Sequence, residues 1–248
     1  MKALITGASS GIGRDMARYL SGLGYDLVIV ARRENLLKEL KNELKTNIEV
    51  EVVDVSIKES CVALYERHKD IDLLINNAGF GVFGEFTETD LDKELSLIDT
   101  NIKATHILTK LYVKNMKEKN RGRILNVTSI AGFMTGPLMS AYYASKNYVV
   151  ELSSAINKEL KKDDSEVRIS ILCPGPVETN FNNVAGVKFA VKALSSEYVA
   201  KYAIDKTLKG KEIIIPGTLI KILYFLNKLS PRAIATDIAY HSQKAKKK

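Results

Sequence analysis

Seven short runs of β-branched and aliphatic residues recur along the chain, each separated from the next by a stretch long enough for a helix. They are KALITG, DLVIVAR, IEVEVVDV, IDLLINNAG, GRILNVTS, VRISILCPG and KEIIIPG. Most are nearly continuous in apolar residues, as strands covered on both faces must be. Spacers such as GRDMARYLSGLG and ENLLKELKNEL place their apolar residues at helical intervals. Such alternation predicts right-handed crossovers onto a single parallel, doubly wound α/β sheet of about seven strands. With 248 residues, 46% of them apolar, there is ample chain for a buried core. No internal repeat, low-complexity linker or composition break divides it, so one domain over residues 1–248 is expected.

Composition removes several function classes. Cys61 and Cys173 are too few for a disulfide framework, and His68, His106 and His241 stand far apart, so no metal site is expected. The opening MKALITGASSGIG has no long apolar core before a small-residue cleavage site, and a cytoplasmic location is the expectation. The net charge of +8 is uneven: residues 218–248 hold seven Lys or Arg against Asp237 alone, or +6, which leaves +2 for the first 217. A nearly neutral body disfavours nucleic acid as a partner. The basic end is either a solvated tail or a contact with an anionic surface.

The first apolar run leads straight into TGASSGIG, residues 6–13, and a helical pattern follows. Gly7, Gly11 and Gly13 let the chain turn tightly and bring backbone N–H groups to a pyrophosphate at the positive end of a helix. A glycine-rich turn alone is weak; at the first strand–helix junction of an alternating fold it predicts dinucleotide binding and a Rossmann-type sheet. The second run ends LVIVARRENL, with Ala31 where an acid would accept from a free ribose 2′-hydroxyl. Arg32 and Arg33 follow instead, and a planar guanidinium suits a 2′-phosphate. NADP(H) is the cofactor expected, although arginines opening a surface helix would read the same way.

Residues 142–146, YYASK, place Tyr142 four positions before Lys146, on one face of a helix. The spacing alone selects nothing, because it recurs at Tyr65–Lys69 and Tyr202–Lys206. A nearby ammonium would favour the phenolate and bring a phenol's pKa down from about 10 toward the working range.

The chain resembles the short-chain dehydrogenases/reductases. TGASSGIG at 6–13, Asp54–Val55, NNAG at 76–79, Asn101, Ser129, YYASK and PGPVET at 174–179 follow that family's order. The likeness weakens after residue 180. It implies Tyr142 as the catalytic phenol, Ser129 bonded to the substrate oxygen, Lys146 on the nicotinamide ribose, and Asn101 supporting a water-mediated proton path. It implies cofactor contacts from Ser9, Ser10, Ile12, Asp54, Val55, Asn76, Ala78, Gly79, Pro174, Gly175, Val177 and Thr179 as well. Tyr143, one residue out of the motif, is expected to pack in the core or against a partner subunit. The activity implied is NADPH-dependent exchange of hydride with a small-molecule carbonyl or secondary alcohol. A non-catalytic NADP(H)-binding regulator or scaffold on the same fold is the alternative. A homodimer through helices around 100–118 and 142–161 is also expected.

The resemblance also implies an apolar substrate lid over residues 180–200, the alternative being a covering helix whose apolar face is simply core. Beyond IIIPG, residues 218–248 should form a basic helical extension, with one strongly apolar helix broken near Ser230–Pro231 before a polar end. Cover over the substrate or a subunit contact, a peripheral membrane contact, and ordinary core packing all remain open for it.

Overall fold

All seven apolar runs become strands of one sheet. A computed structural model gives the structure of residues 1–179, 181 and 193–244. The strands are β1 (Lys2–Thr6), β2 (Asp26–Ala31), β3 (Ile48–Val52), β4 (Leu73–Asn76), β5 (Arg123–Val127), β6 (Arg168–Leu172) and, after a two-stranded ribbon of β7 (Val177–Glu178) and β8 (Leu194–Ser195), β9 (Ile213–Ile214). The sheet order is β3-β2-β1-β4-β5-β6-β9, and every pairing is parallel. This is the doubly wound Rossmann arrangement in a single domain.

The helices are α1 (Gly11–Gly22), α2 (Glu34–Glu43), α3 (Lys58–Arg67), α4 (Leu91–Ile98), α5 (Thr105–Glu118), α6 (Ser140–Lys162), α7 (Ser196–Leu208), α8 (Thr218–Leu229) and α9 (Arg232–Lys244). Their placement explains why most of the strands, edge strand β3 apart, carry no polar face. Ala3 and Ile5 of β1 pack beneath α1, α2 and α7, while Leu4 between them packs against α3 and α5 on the other side. Each such buried aliphatic contributes roughly 1.5–3 kcal/mol, and alternation would forfeit half of them.

Three further features bear on the sequence expectations. A π-helical turn, Asp99–Ala104, joins α4 to α5. The polar end after Pro231 is itself helical, as α9, because Ala239 and Gln243 give it a buried face. Of the expected lid, Asn180 and residues 182–192 lie outside the described residues. Its last part is core rather than cover: Val199 and Ala200 are fully buried in α7.

Candidate active site

From β1 the chain passes into α1 on one face of the sheet, and from β4 it continues to the opposite face. Where neighbouring connections part in this way, a crevice opens beyond the strands' C-terminal ends. Here it is a cavity of about 1340 Å³, beyond the roughly 300–1,000 Å³ of an ordinary small-ligand pocket. It has room for a cofactor and a substrate together.

One end is built of backbone. Asn77 Nδ2 donates to the carbonyls of Thr6 (3.0 Å) and Gly7 (3.2 Å), and Thr6 Oγ1 accepts from the amides of Asn77 and Ala78. These bonds clasp the ends of β1 and β4. They leave no space at Gly7, where φ is +68° and an added Cβ would lie 2.9 Å from Ala78 Cα. At Gly13 a Cβ would meet Asn77 Nδ2 at 2.4 Å and the Gly7 carbonyl at 2.6 Å. The first amides of α1 lack intrahelical acceptors, and Ser10 at its N-cap makes no side-chain cap bond. Arg33 donates to Ser9 Oγ (2.8 Å) and Ser10 Oγ (2.9 Å). Arg32, also exposed, pairs with Asp54 at 3.6 Å. A glycine cradle with free amides, two hydroxyls and two guanidiniums fits a phosphorylated dinucleotide.

Ser9, Ser10, Gly7, Gly11, Ile12, Arg32, Arg33, Val55, Ala78, Gly79, Pro174, Gly175, Val177 and Thr179 all stand on the cavity wall. Gly13 lies behind it. Asp54 lies just off the wall, its Oδ1 taken by the Ser56 amide and hydroxyl. Burial opposes ionisation of its carboxyl, but those bonds and Arg32 outweigh burial and hold it below its ordinary value. Asn76 needs correcting. It is buried beneath the floor, donating to Thr109 Oγ1 and Asn126 Oδ1, while Asn77 takes the wall.

At the other end Ser129, Tyr142 and Lys146 converge. Ser129 follows β5; its hydroxyl donates to the Pro174 carbonyl and accepts from the Ala131 amide, close enough to the Tyr142 phenol to favour its ionisation. Lys146 Nζ donates to the Val127 carbonyl at 3.1 Å and lies 5.7 Å from the Tyr142 ring centre. That last distance is merely helical: Lys69–Tyr65, Lys206–Tyr202 and Lys244–Tyr240 give 5.6–5.9 Å. Burial is what distinguishes the pair, at 8% exposure for Tyr142 and 6% for Lys146. It also corrects the expected phenol. Burial pushes the Tyr142 pKa up against the pull of the Ser129 hydroxyl, because a phenolate there would be desolvated.

Burial lowers the Lys146 ammonium to about 8, against an opposing pull from the Cys173 sulfur. This folded value lies below the ordinary 10.5, so the associated stability is fully present above pH 10.5 and lost as pH falls through about 8. Lys146→Met removes that dependence. Between pH 8 and 10.5 the parent protein should gain about 3 kcal/mol relative to the variant, read by denaturant unfolding at each pH. Parallel stability profiles would contradict a desolvated lysine.

Asn101 lies in the π-helical turn, a distortion frequent at functional sites. Its Nδ2 donates to the Phe80 carbonyl (2.9 Å) and Ser145 Oγ (3.0 Å), and its Oδ1 accepts from the Phe80 amide. It is fully enclosed behind Gly79, off the cavity wall, and its side chain fixes the loop after β4.

Tyr143 packs against the core cluster of Leu97, Ala131, Met139 and Tyr142, as expected. It also faces the cavity, with its hydroxyl accepting from Gln243 Nε2 of α9 at 2.6 Å. Phe80, Val82, Phe83, Met139 and Phe181 line the apolar end around Tyr142. Sequence reading missed Phe80, Val82, Phe83 and Met139; Phe181 belongs to the expected lid, and Ile220, Leu223 and Leu226 of α8, which also line the cavity, to the apolar helix for which cover over the substrate was one reading. The apolar spacing of α8 was the available signal, but it does not say which cavity a helix covers.

A profile described as short chain dehydrogenase matches residues 1–190. An NADP-dependent 3-hydroxy acid dehydrogenase of Schizosaccharomyces pombe is 32% identical over 250 residues, covering 96% of this chain and 92% of that protein. Two solved structures share the architecture. A short-chain dehydrogenase from Sphingobium yanoikuyae in complex with NADPH has a TM-score of 0.80 and 27% identity, covering 95% of this chain and 98% of its own. One from Burkholderia phymatum in complex with NAD has a TM-score of 0.82 and 25% identity, covering 91% and 92%.

Proposed function

The chain belongs to the short chain dehydrogenases, a family of nicotinamide-dependent oxidoreductases, and from that premise we propose that it is an NADPH-dependent reductase of apolar carbonyl compounds. The observation that carries this reading is the convergence of hydroxyl, phenol and ammonium at the apolar end of a cavity whose other end is an anion cradle. Bound NADPH would supply hydride to the carbonyl carbon. Tyr142, whose phenol burial keeps protonated at neutral pH, gives its proton to the carbonyl oxygen. Ser129 donates a second hydrogen bond to the same oxygen. Lys146, charged below about pH 8, stabilises the phenolate that Tyr142 becomes. A regulator that merely sensed NADP(H) would have no use for these three groups together.

The preference for the 2′-phosphate rests on Arg33, which the Ser9 and Ser10 hydroxyls hold at the cradle's edge, with Arg32 beside it. The test is cofactor consumption in the presence of a panel of ketones. Ketone-dependent oxidation of NADPH, with NADH much poorer, is expected. Arg33→Ala should weaken NADPH binding roughly tenfold or more, the loss of one charge-assisted contact, and change NADH binding little. Equal losses for the two cofactors would remove the arginine's assigned role. The same reading includes a homodimer through α5 and α6, and a monomer by light scattering would count against it.

A further inference from the structure

We propose that α8 and α9 form a docking face for an anionic lipid surface and hold the mouth of the substrate cavity against it. Helix α8 buries only a narrow inner edge: Ile220 is packed against Gly175, and Asn227 Nδ2 donates to the Phe133 carbonyl. Opposite that edge, Leu219, Ile222, Phe225 and Leu229 form an exposed apolar stripe, with Phe225 65% and Leu229 80% exposed. Ile234 and Ile238 of α9 are exposed as well. Scattered surface aliphatics need no explanation, but a contiguous apolar stripe of this kind does.

Charge selects the occupant. Lys221, Lys228, Arg232 and Lys244 are all exposed on these two helices, and none makes an ion pair among the described residues. Asp237 is the only acid there, and the sequence adds Lys246, Lys247 and Lys248 beyond. An apolar stripe flanked by lysines is the pattern of a helix that lies in a lipid interface. A second copy fits poorly, since pairing two such faces would bring two strongly basic segments together. Among the described residues no helix is long and apolar enough to cross a membrane, so the contact is with the surface.

The cavity gives the face a use. Leu223, Leu226 and Ile238 are exposed and yet line the cavity, so the stripe continues into the rim of its apolar end. The pair of helices is fixed there rather than hung loosely. Thr236 Oγ1 meets Thr135 Oγ1 at 2.5 Å, and Gln243 holds Tyr143. An apolar substrate dissolved in the lipid would reach Tyr142 without crossing water. This second part rests on the reductase reading; the lipid contact does not.

Co-sedimentation of the full chain with vesicles tests the contact without any turnover. Binding to equimolar phosphatidylcholine–phosphatidylglycerol vesicles is expected at low salt, with little binding to phosphatidylcholine alone. Phe225→Ser with Leu229→Ser should abolish it. Lys221→Glu with Lys228→Glu, which leaves the apolar residues in place, should weaken it at least tenfold, taking about fivefold per charge removed. No binding of the parent chain to anionic vesicles would overturn the proposal. So would equal binding by the charge-reversed chain, or a shift from dimer to monomer caused by the Phe225/Leu229 pair in the absence of lipid, which would assign the stripe to a second copy.

Discussion

Tyr142→Phe should lower kcat by about 10²- to 10⁴-fold, the usual contribution of a positioned general acid, with NADPH binding essentially unchanged. The ring is enclosed by Phe181, Met139, Tyr143 and Gly81, so phenylalanine occupies the same space. Removing the hydroxyl strands nothing, because Ser129 Oγ donates to the Pro174 carbonyl and accepts from the Ala131 amide. Fold, packing and cofactor cradle are all left intact. Tyr143→Phe is the control. It shares the wall and the ring contact, but its hydroxyl is held by Gln243, so it should affect stability or substrate KM before kcat. If Tyr143→Phe were inactive and Tyr142→Phe active, the two phenols would have been assigned the wrong way round.

The other large effect lies at the opposite end of the cavity. Gly13→Ala places a methyl 2.6 Å from the Gly7 carbonyl, a backbone atom that cannot swing aside, and 2.4 Å from Asn77 Nδ2. Either the loop or the clasp between β1 and β4 must shift, and a displacement near 1 Å weakens binding or rate by about a hundredfold. NADPH affinity should fall on that scale, with a stability loss of about 1–3 kcal/mol from overpacking. Gly22→Ala at the other end of α1 meets nothing within 4 Å. It should be neutral or stabilise by roughly 0.4–1 kcal/mol. Comparable losses at both glycines would mean that α1 tolerates no alanine for helix-wide reasons, and the cradle would lose its claim.

The sheet was legible because burial on both faces leaves a one-sided record: continuous aliphatic runs such as LVIV and LLIN suit no other element of that length. Tyr142 was legible from the order of motifs and not from its spacing to Lys146, which surface pairs reproduce to within 0.2 Å. Asn76 and Asn77 were not separable in sequence. Consecutive residues at a strand end point to opposite sides, and two identical amides do not say which side is the cavity. The π-helical turn at Asn101 has no residue signature, and the bonds of Asn101 to the Phe80 backbone join residues 21 positions apart. The buried face of α9 was hidden for a similar reason. Thr236 and Gln243 look like solvent residues until Thr135 and Tyr143 are brought opposite them.

The central claim, that this cavity moves hydride onto a carbonyl carbon, is tested most directly with NADPH deuterated at its transferable position. The label is followed into product by mass spectrometry across a panel of apolar ketones. Deuterium on the carbinol carbon of at least one product, absent with Tyr142→Phe, is the predicted result. NADPH that binds tightly yet delivers no deuterium to any ketone would contradict the account and leave a nucleotide-binding protein without this chemistry.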